Sequence, residues 1–342
     1  MTVEVVGPSA VAAAQAARLE ELDAAADRYV STQRPRTTRA AYAQDWSAWE
    51  DYAAWAGIPV LSGSRGALVG FVLWLENGSP RLGEAGGTRP GAAPATIRRR
   101  IAGAVHGLRR HHVRIDPVAS RAAAAALDGY RRRLAEAGET RGRGQAAAVD
   151  LAAVLAMSRS CPDGLAGVRD RAMLLVGFFA ATRASDQANL LHADVEVEAT
   201  GLVVTVRHGK TTGVSALPAR RHPLLCPRQA WLAWTAAAGL DGGPAFRPVS
   251  RHERVGAAPL SPDAVTAIVA RLGRRAGLPH PVTCHSLRAG FATESYRAGA
   301  TLLDIARQGR WAPGSQELFR YIRQVDRWRH NAADPLDLDP SC

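Results

Sequence analysis

The chain has 342 residues, and 43 Lys+Arg stand against 31 Asp+Glu, for a net charge of +12. A 47% hydrophobic content excludes a disordered chain and is enough to fill the cores of about two domains of roughly 150 residues each. The longest apolar run, Ala172 to Thr182, is too short to span a bilayer; no basic n-region precedes an apolar core at the N-terminus; and the four cysteines form neither a C-x-x-C pair nor a His-spaced cluster. A membrane protein, a secreted disulfide scaffold and a zinc finger are thereby excluded, and a cytoplasmic protein without metal or cofactor is expected.

The excess charge is shared between the halves, with 20 Arg against 15 acids over residues 1–150 and 23 bases against 16 acids over 151–342. A basic excess spread in this way suits a polyanion such as nucleic acid. Of the 43 basic residues, Lys210 alone is lysine and the rest are arginine. Arginine carries charge and binds phosphate as well as lysine does, but its pKa above about 12 bars it from donating a proton. Lys210 is therefore the candidate for acid–base chemistry.

In chain order, residues 1–28 read as an Ala-rich helical arm. Thr37 to Ala56 follows as a helix, with Trp46, Trp49 and Tyr52 at three-residue steps and Tyr42 and Trp55 beside them. Arg65 to Asn77 is an apolar helix, and Gly78 to Pro94 is a Gly/Pro-dense loop. Thr96 to His112 carries Ile97, Ile101, Val105 and Leu108 on one side and Arg98, Arg99, Arg100, Arg109 and Arg110 elsewhere. Asp116-Pro117 starts a helix running to about Glu136, with Arg131, Arg132 and Arg133. Basic clusters on successive helices could line a DNA groove, although solvated faces explain each cluster singly. We take Arg39, Arg98, Arg99, Arg100, Arg141 and Arg143 as the candidate DNA contacts.

The Gly/Arg-rich stretch 138–148 separates a helical domain, 29–137, from a second domain, 149–331, with a tail at 332–342. The second domain opens with helices at about Asp150–Ser160 and Ala166–Ala181. Leu202 to Arg207 reads as a strand, the turn His208 to Gly213 follows, and Val214 to Leu217 returns. Helices are then expected at Pro227–Ala238, after Ser261-Pro262, and at Ser286–Arg297, Leu302–Gln308 and Ser315–His330.

Five segments carry chemistry. They are Thr182-Arg183-Ala184-Ser185-Asp186, the turn with Lys210, His285-Ser286-Leu287-Arg288, Gly309-Arg310-Trp311 and Arg320-Tyr321-Ile322-Arg323. Breaking a phosphodiester without a metal needs a nucleophile, an acid for the leaving group, and positive charge around the pentavalent transition state. Arg183 and Arg288 can each offer paired N–H donors to phosphate oxygens. His285, three residues before Arg288, shares its helical face or entry turn. Lys210 can protonate the leaving oxygen, Trp311 offers one indole N–H, and Tyr321 is the nucleophile, with an ordinary pKa near 10 that calls for a base. Tyr296 is assigned to packing, and His208, His222, His252 and His280 to loops.

These five segments, in this order, resemble the boxes of the tyrosine recombinases, the phage integrase family, and the resemblance covers roughly Tyr29 to Asn331. It implies a mainly α, two-domain DNA clamp: an all-α core-binding domain joined to a mixed α+β catalytic domain with a small antiparallel sheet. It further implies a 3′-phosphotyrosine intermediate formed without ATP, double-stranded DNA with inverted-repeat sites as partner, a homotetramer on two sites, and a nucleoid-associated location. A type IB topoisomerase would share the chemistry, and a DNA-binding regulator would share the fold without it. Two departures stand out. Asp186 occupies a position where the family usually has Glu, and Trp311 and Tyr321 are ten residues apart, one more than the family spacing.

Overall fold

The computed structural model describes residues 8–33, 36–81, 84, 89–142, 144, 146–207, 209, 211–312 and 314–323. The chain divides into two compact units, Met1–Gly144 and Gln145–Cys342, the division falling inside the Gly/Arg-rich stretch.

Unit 1 is helical: α1 (Pro8–Gln33), α2 (Arg36–Ala56), α3 (Arg65–Glu76), α4 (Pro94–Arg110) and α5 (Pro117–Glu136). Local chemistry sets the starts. The Ser64 hydroxyl accepts from the Ala67 amide at 3.2 Å, and the Asp116 carboxylate accepts from Val118 at 2.7 Å with Pro117 next in line. The aromatic stripe of α2 is core: Trp49 meets Phe71 edge-on at 5.1 Å and Tyr52 lies 5.9 Å from Trp74. Leu68, Leu75, Ile97, Leu108 and Leu127 complete it. A Cβ at Gly107 would stand 1.9 Å from the Trp46 ring, so α2 and α4 approach closely only because that residue is glycine.

Unit 2 holds α6 (Leu151–Arg159), α7 (Leu165–Phe179), α8 (Ala184–Ala188), β1 (Val195–Val197), β2 (Gly201–Val206), β3 (Gly213–Pro218), α9 (Pro227–Ala238), α10 (Pro262–Arg275), α11 (Cys284–Arg297), α12 (Leu302–Gly309) and α13 (Gln316–Arg323). The apolar run at 172–182 is the central helix α7 and its exit: Ala172 through Phe179 are all buried, which explains why the run shows no amphipathic period. The strands pair antiparallel in the order β1-β2-β3, with Val195 opposite Val204 and Val203 opposite Ala216. The expected hairpin is present; β1 and the short α8 went unforeseen, being too brief to show a period. Arg169 and Arg271 both reach the buried Asp170, each at 2.6 Å, which ties α10 to α7. Tyr296 packs against the core of this unit, in line with its assignment.

Of the helix expected at Ser315–His330, the part to Arg323 is described; the remainder and the tail lie outside the described residues, as do Arg143, His208 and Lys210. Among the described residues no helix is long and apolar enough to cross a membrane, and no group of three or more His, Cys, Asp or Glu could hold a metal ion.

Candidate active site

Arg183 ends the exit from α7 and serves as N-cap of α8, where its backbone N–H donates to Asp186 Oδ2 at 3.0 Å. The side chain lies alongside: Arg183 Nη1 donates to Thr211 Oγ1 at 3.0 Å and is 3.9 Å from Asp186. Asp186 is buried, and the Arg310 guanidinium comes within 3.8 Å of the same oxygen. The shorter arm of aspartate therefore still serves two arginines. A Cβ at Gly209 would stand 2.8 Å from Asp186 Oδ1, and one at Gly213 would stand 3.3 Å from the Arg310 stem. The two glycines let both ends of the hairpin turn seat against this pair.

Arg288 is delivered by the first turn of α11, which opens with a reciprocal cap between Thr283 and Ser286. Its side chain is fully buried, donates through Nη1 to the Ala181 carbonyl, and leaves Nε and Nη2 with no hydrogen-bond partner among the described residues. Burial, with Arg183 and Arg310 close by, pulls it down to about 9, still cationic at neutral pH. Two such donor atoms on one buried cation suit an anion with several acceptor oxygens.

Trp311 stacks beneath this guanidinium, whose central carbon is 3.8 Å from its ring centre, and the Trp311 Nε1 is also buried without a partner among the described residues. The Ser315 amide donates to the Ala312 carbonyl at 3.0 Å, and α13 begins at Gln316. Across the ten-residue spacing the Tyr321 ring still lies 6.3 Å from Trp311 at 67°. Tyr321 is buried and its Oη donates to Glu317 Oε1 at 3.0 Å. Burial first, then the Glu317 charge and hydrogen bond, push the phenol up to about 12, against the pull of Arg288 and Arg183.

The structure thus gathers Arg183, Asp186, Arg288, Trp311 and Tyr321 from four segments. His285 differs: it sits at the start of α11 beside Arg288 in sequence but is exposed where Arg288 is buried. Sequence reasoning missed two groups. Arg310 is buried in a left-handed conformation at the end of α12, donates to Ser215 on β3, and is held below its ordinary pKa by burial. Glu317 stands four residues before Tyr321, an i, i+4 spacing that would have marked it.

Among the candidate DNA contacts, Arg39 and Arg98 are exposed, and Arg39 borders a groove with Tyr42, Trp46, His106 and His111. Arg99 is engaged with the buried Asp45 at 2.6 Å and Arg141 with Glu139 at 2.6 Å. Arg100 is half-buried and lowered from its ordinary pKa by burial and by Arg99.

The sequence profile of the phage integrase family matches residues 149–326. An integrase/recombinase XerD homologue of Selenomonas ruminantium is 28% identical over 329 residues, covering 93% of this chain and 90% of its own length. The tyrosine recombinase XerC of Rhodospirillum centenum is 32% identical over 163 residues, covering 46% and 44%. Among solved structures, the fold is similar to a lambda integrase (75–356) dimer bound to a COC′ core site, with TM-score 0.55, 14% identity and coverage of 93% and 98%. It is also similar to the Tn1549 transposon integrase in complex with transposon right-end DNA, with TM-score 0.56, 13% identity and coverage of 91% and 95%.

Proposed function

This chain belongs to the phage integrase family of tyrosine recombinases, and we propose that its own residues carry site-specific DNA strand transfer as follows. Tyr321 attacks a scissile phosphate. Arg183, the unpartnered Nε and Nη2 of Arg288, and the Trp311 indole N–H hold the non-bridging oxygens as negative charge builds on them. Asp186 and Arg310 seat the hairpin turn in which Lys210 stands, and Lys210 protonates the departing 5′ oxygen. His285, on the exposed side of the first turn of α11, meets the phosphate or its flanking backbone once DNA is bound. The product is a 3′-phosphotyrosine and a free 5′-hydroxyl; attack by the 5′-hydroxyl of a second strand rejoins the backbone, conserving bond energy without ATP or a cofactor.

One observation carries the reading: a fully buried arginine with two idle donor atoms, stacked on a tryptophan that is itself 6.3 Å from a buried tyrosine. Buried donors are ordinarily hydrogen-bonded, and idle donors stacked this close to a candidate nucleophile suit an anionic substrate. The assembly proposed with it is a homotetramer joining two double-stranded, inverted-repeat sites in the nucleoid. Residues 29–137 serve as the core-binding domain, 149–331 as the catalytic domain and 332–342 as a docking tail. Arg39 and Arg98 are the strongest candidates for contacts in the first unit. Arg141 and Arg143 in the linker follow, and Arg99 and Arg100 are held by internal partners or burial.

A nicked suicide duplex tests the reading. The protein should be trapped on the 3′ side in excess EDTA, and Tyr321→Phe should abolish the adduct while leaving DNA binding intact. An adduct that persists in that variant would place the nucleophile elsewhere. Relaxation of supercoiled DNA with no exchange between sites would point to a topoisomerase instead.

A further inference from the structure

A phenol cannot attack phosphorus and keep its proton. The Tyr321 hydroxyl is buried among groups that hold it protonated at neutral pH, so the proton must leave during the attack, to an acceptor within hydrogen-bond reach. Arg183, Arg288 and Arg310 are cationic donors with no lone pair to offer, and the Trp311 indole is donor-only. His285 is exposed. The acceptor actually in place is the Glu317 carboxylate, 3.0 Å from the phenolic oxygen. Both residues lie on α13, one turn apart, so donor and acceptor travel together whatever small shift the helix makes on meeting DNA.

We propose that Glu317 is the general base that takes the Tyr321 proton in the cleavage step, a catalytic residue beyond those read from the sequence. The inference rests on the strand-transfer reading above. As the Tyr321 oxygen bonds to phosphorus, its proton passes to Glu317. The P–O5′ electron pair leaves with the 5′ oxygen, which receives a proton from Lys210. Rejoining runs the same transfers backwards: the 5′-hydroxyl gives its proton to Lys210, and the released tyrosine oxygen recovers its own from Glu317.

Charge favours this direction. A carboxylate beside an incoming phosphate is repelled by it, and the repulsion is greatest as the phosphorane becomes dianionic. Protonation of Glu317 removes one negative charge at that moment. The negative charge is in effect moved from the carboxylate to the phosphorane, where Arg288 and Arg183 receive it. Both of these guanidinium groups act on Tyr321, and Glu317 acts in turn on Arg288, so the four groups share one field. Glu317 is also only half-buried.

The test is single-turnover cleavage of the suicide duplex. Glu317→Gln keeps an acceptor oxygen at the same reach but removes its basicity; cleavage should slow by about 10²-fold, the lower end for general base catalysis, with DNA binding and Tm unchanged. Replacing Tyr321 by the more acidic 3,5-difluorotyrosine should then recover about tenfold or more of the rate in the Glu317→Gln protein and gain little in the parent. A Glu317→Gln protein that cleaves at the parental rate or faster overturns the proposal, since the bond would then only hold the phenol in reserve. A slow variant that the acidic phenol fails to rescue also overturns it, leaving Glu317 a positioning residue. Tyr321→Phe, run alongside, reports separately on the strand-transfer reading: if the parent forms no adduct through Tyr321, that reading fails and not merely the identity of the base.

Discussion

The guanidinium carbon of Arg288 lies 3.8 Å from the ring centre of Trp311, and both side chains are buried. The indole face partly replaces lost hydration through a cation–π contact worth on the order of 2 kcal/mol when desolvated. The stack also fixes the plane of the guanidinium, so that its idle Nε and Nη2 have a set direction. Keeping a buried cation there costs the fold stability, to which its lowered pKa corresponds.

That cost is measurable. Arg288→Met should abolish cleavage yet stabilise the DNA-free protein by roughly 1 kcal/mol or more, as when buried charges give way to apolar side chains. Because folding lowers the Arg288 pKa to about 9, its cost is present in full below that pH. The cost fades as the pH rises from about 9 toward the ordinary arginine range, where the unfolded chain holds the extra proton. The stability gained by the variant should therefore shrink above pH 9. Denaturant unfolding at pH 7 and pH 10 checks this, and a destabilised variant at pH 7 would show that the charge is already compensated.

Arg183→Ala and Arg288→Ala should each slow cleavage by about 10²-fold or more, the scale of losing a preorganised donor in the transition state. DNA binding should weaken far less, because other phosphate contacts remain. Rates of adduct formation set beside gel-shift affinities separate the two effects. Equal losses in both would make these arginines docking residues only.

Lys210→Arg should bind DNA like the parent and cleave at least about 10²-fold more slowly, since a guanidinium cannot release a proton near neutral pH. Replacing the bridging 5′ oxygen with sulfur gives a leaving group that needs little protonation. On that substrate Lys210→Arg should recover most of its rate and Arg288→Ala should not. No recovery would remove Lys210 from the role of acid.

Gly107→Ala should cost about 1–3 kcal/mol of stability, the usual scale of overpacking, because its Cβ would fall 1.9 Å from the Trp46 ring. Displacing Trp46 also disturbs the groove that Arg39 borders, so DNA affinity should drop with it. Urea unfolding and a binding titration read the two quantities. Unchanged affinity in the destabilised variant would argue against a DNA role for this groove.

The sequence by itself determined the helices with strong caps and long periods, such as Asp116-Pro117 opening α5 and Ser261-Pro262 opening α10, because those signals are local. It also supplied the order of five chemical boxes, and with it the family, since box order survives where overall identity is low. Tertiary structure alone decided what depends on contacts between distant residues. It buried Arg288 beside Trp311 and left His285 exposed, although the two residues share a single turn. It brought the Tyr321 ring within 6.3 Å of Trp311 despite the longer spacing. It set Arg310, unremarkable as one arginine among 42, against Asp186 and Ser215. Burial is a property of packing rather than of spacing, and burial is what sets which cations lack partners and which phenol is held protonated.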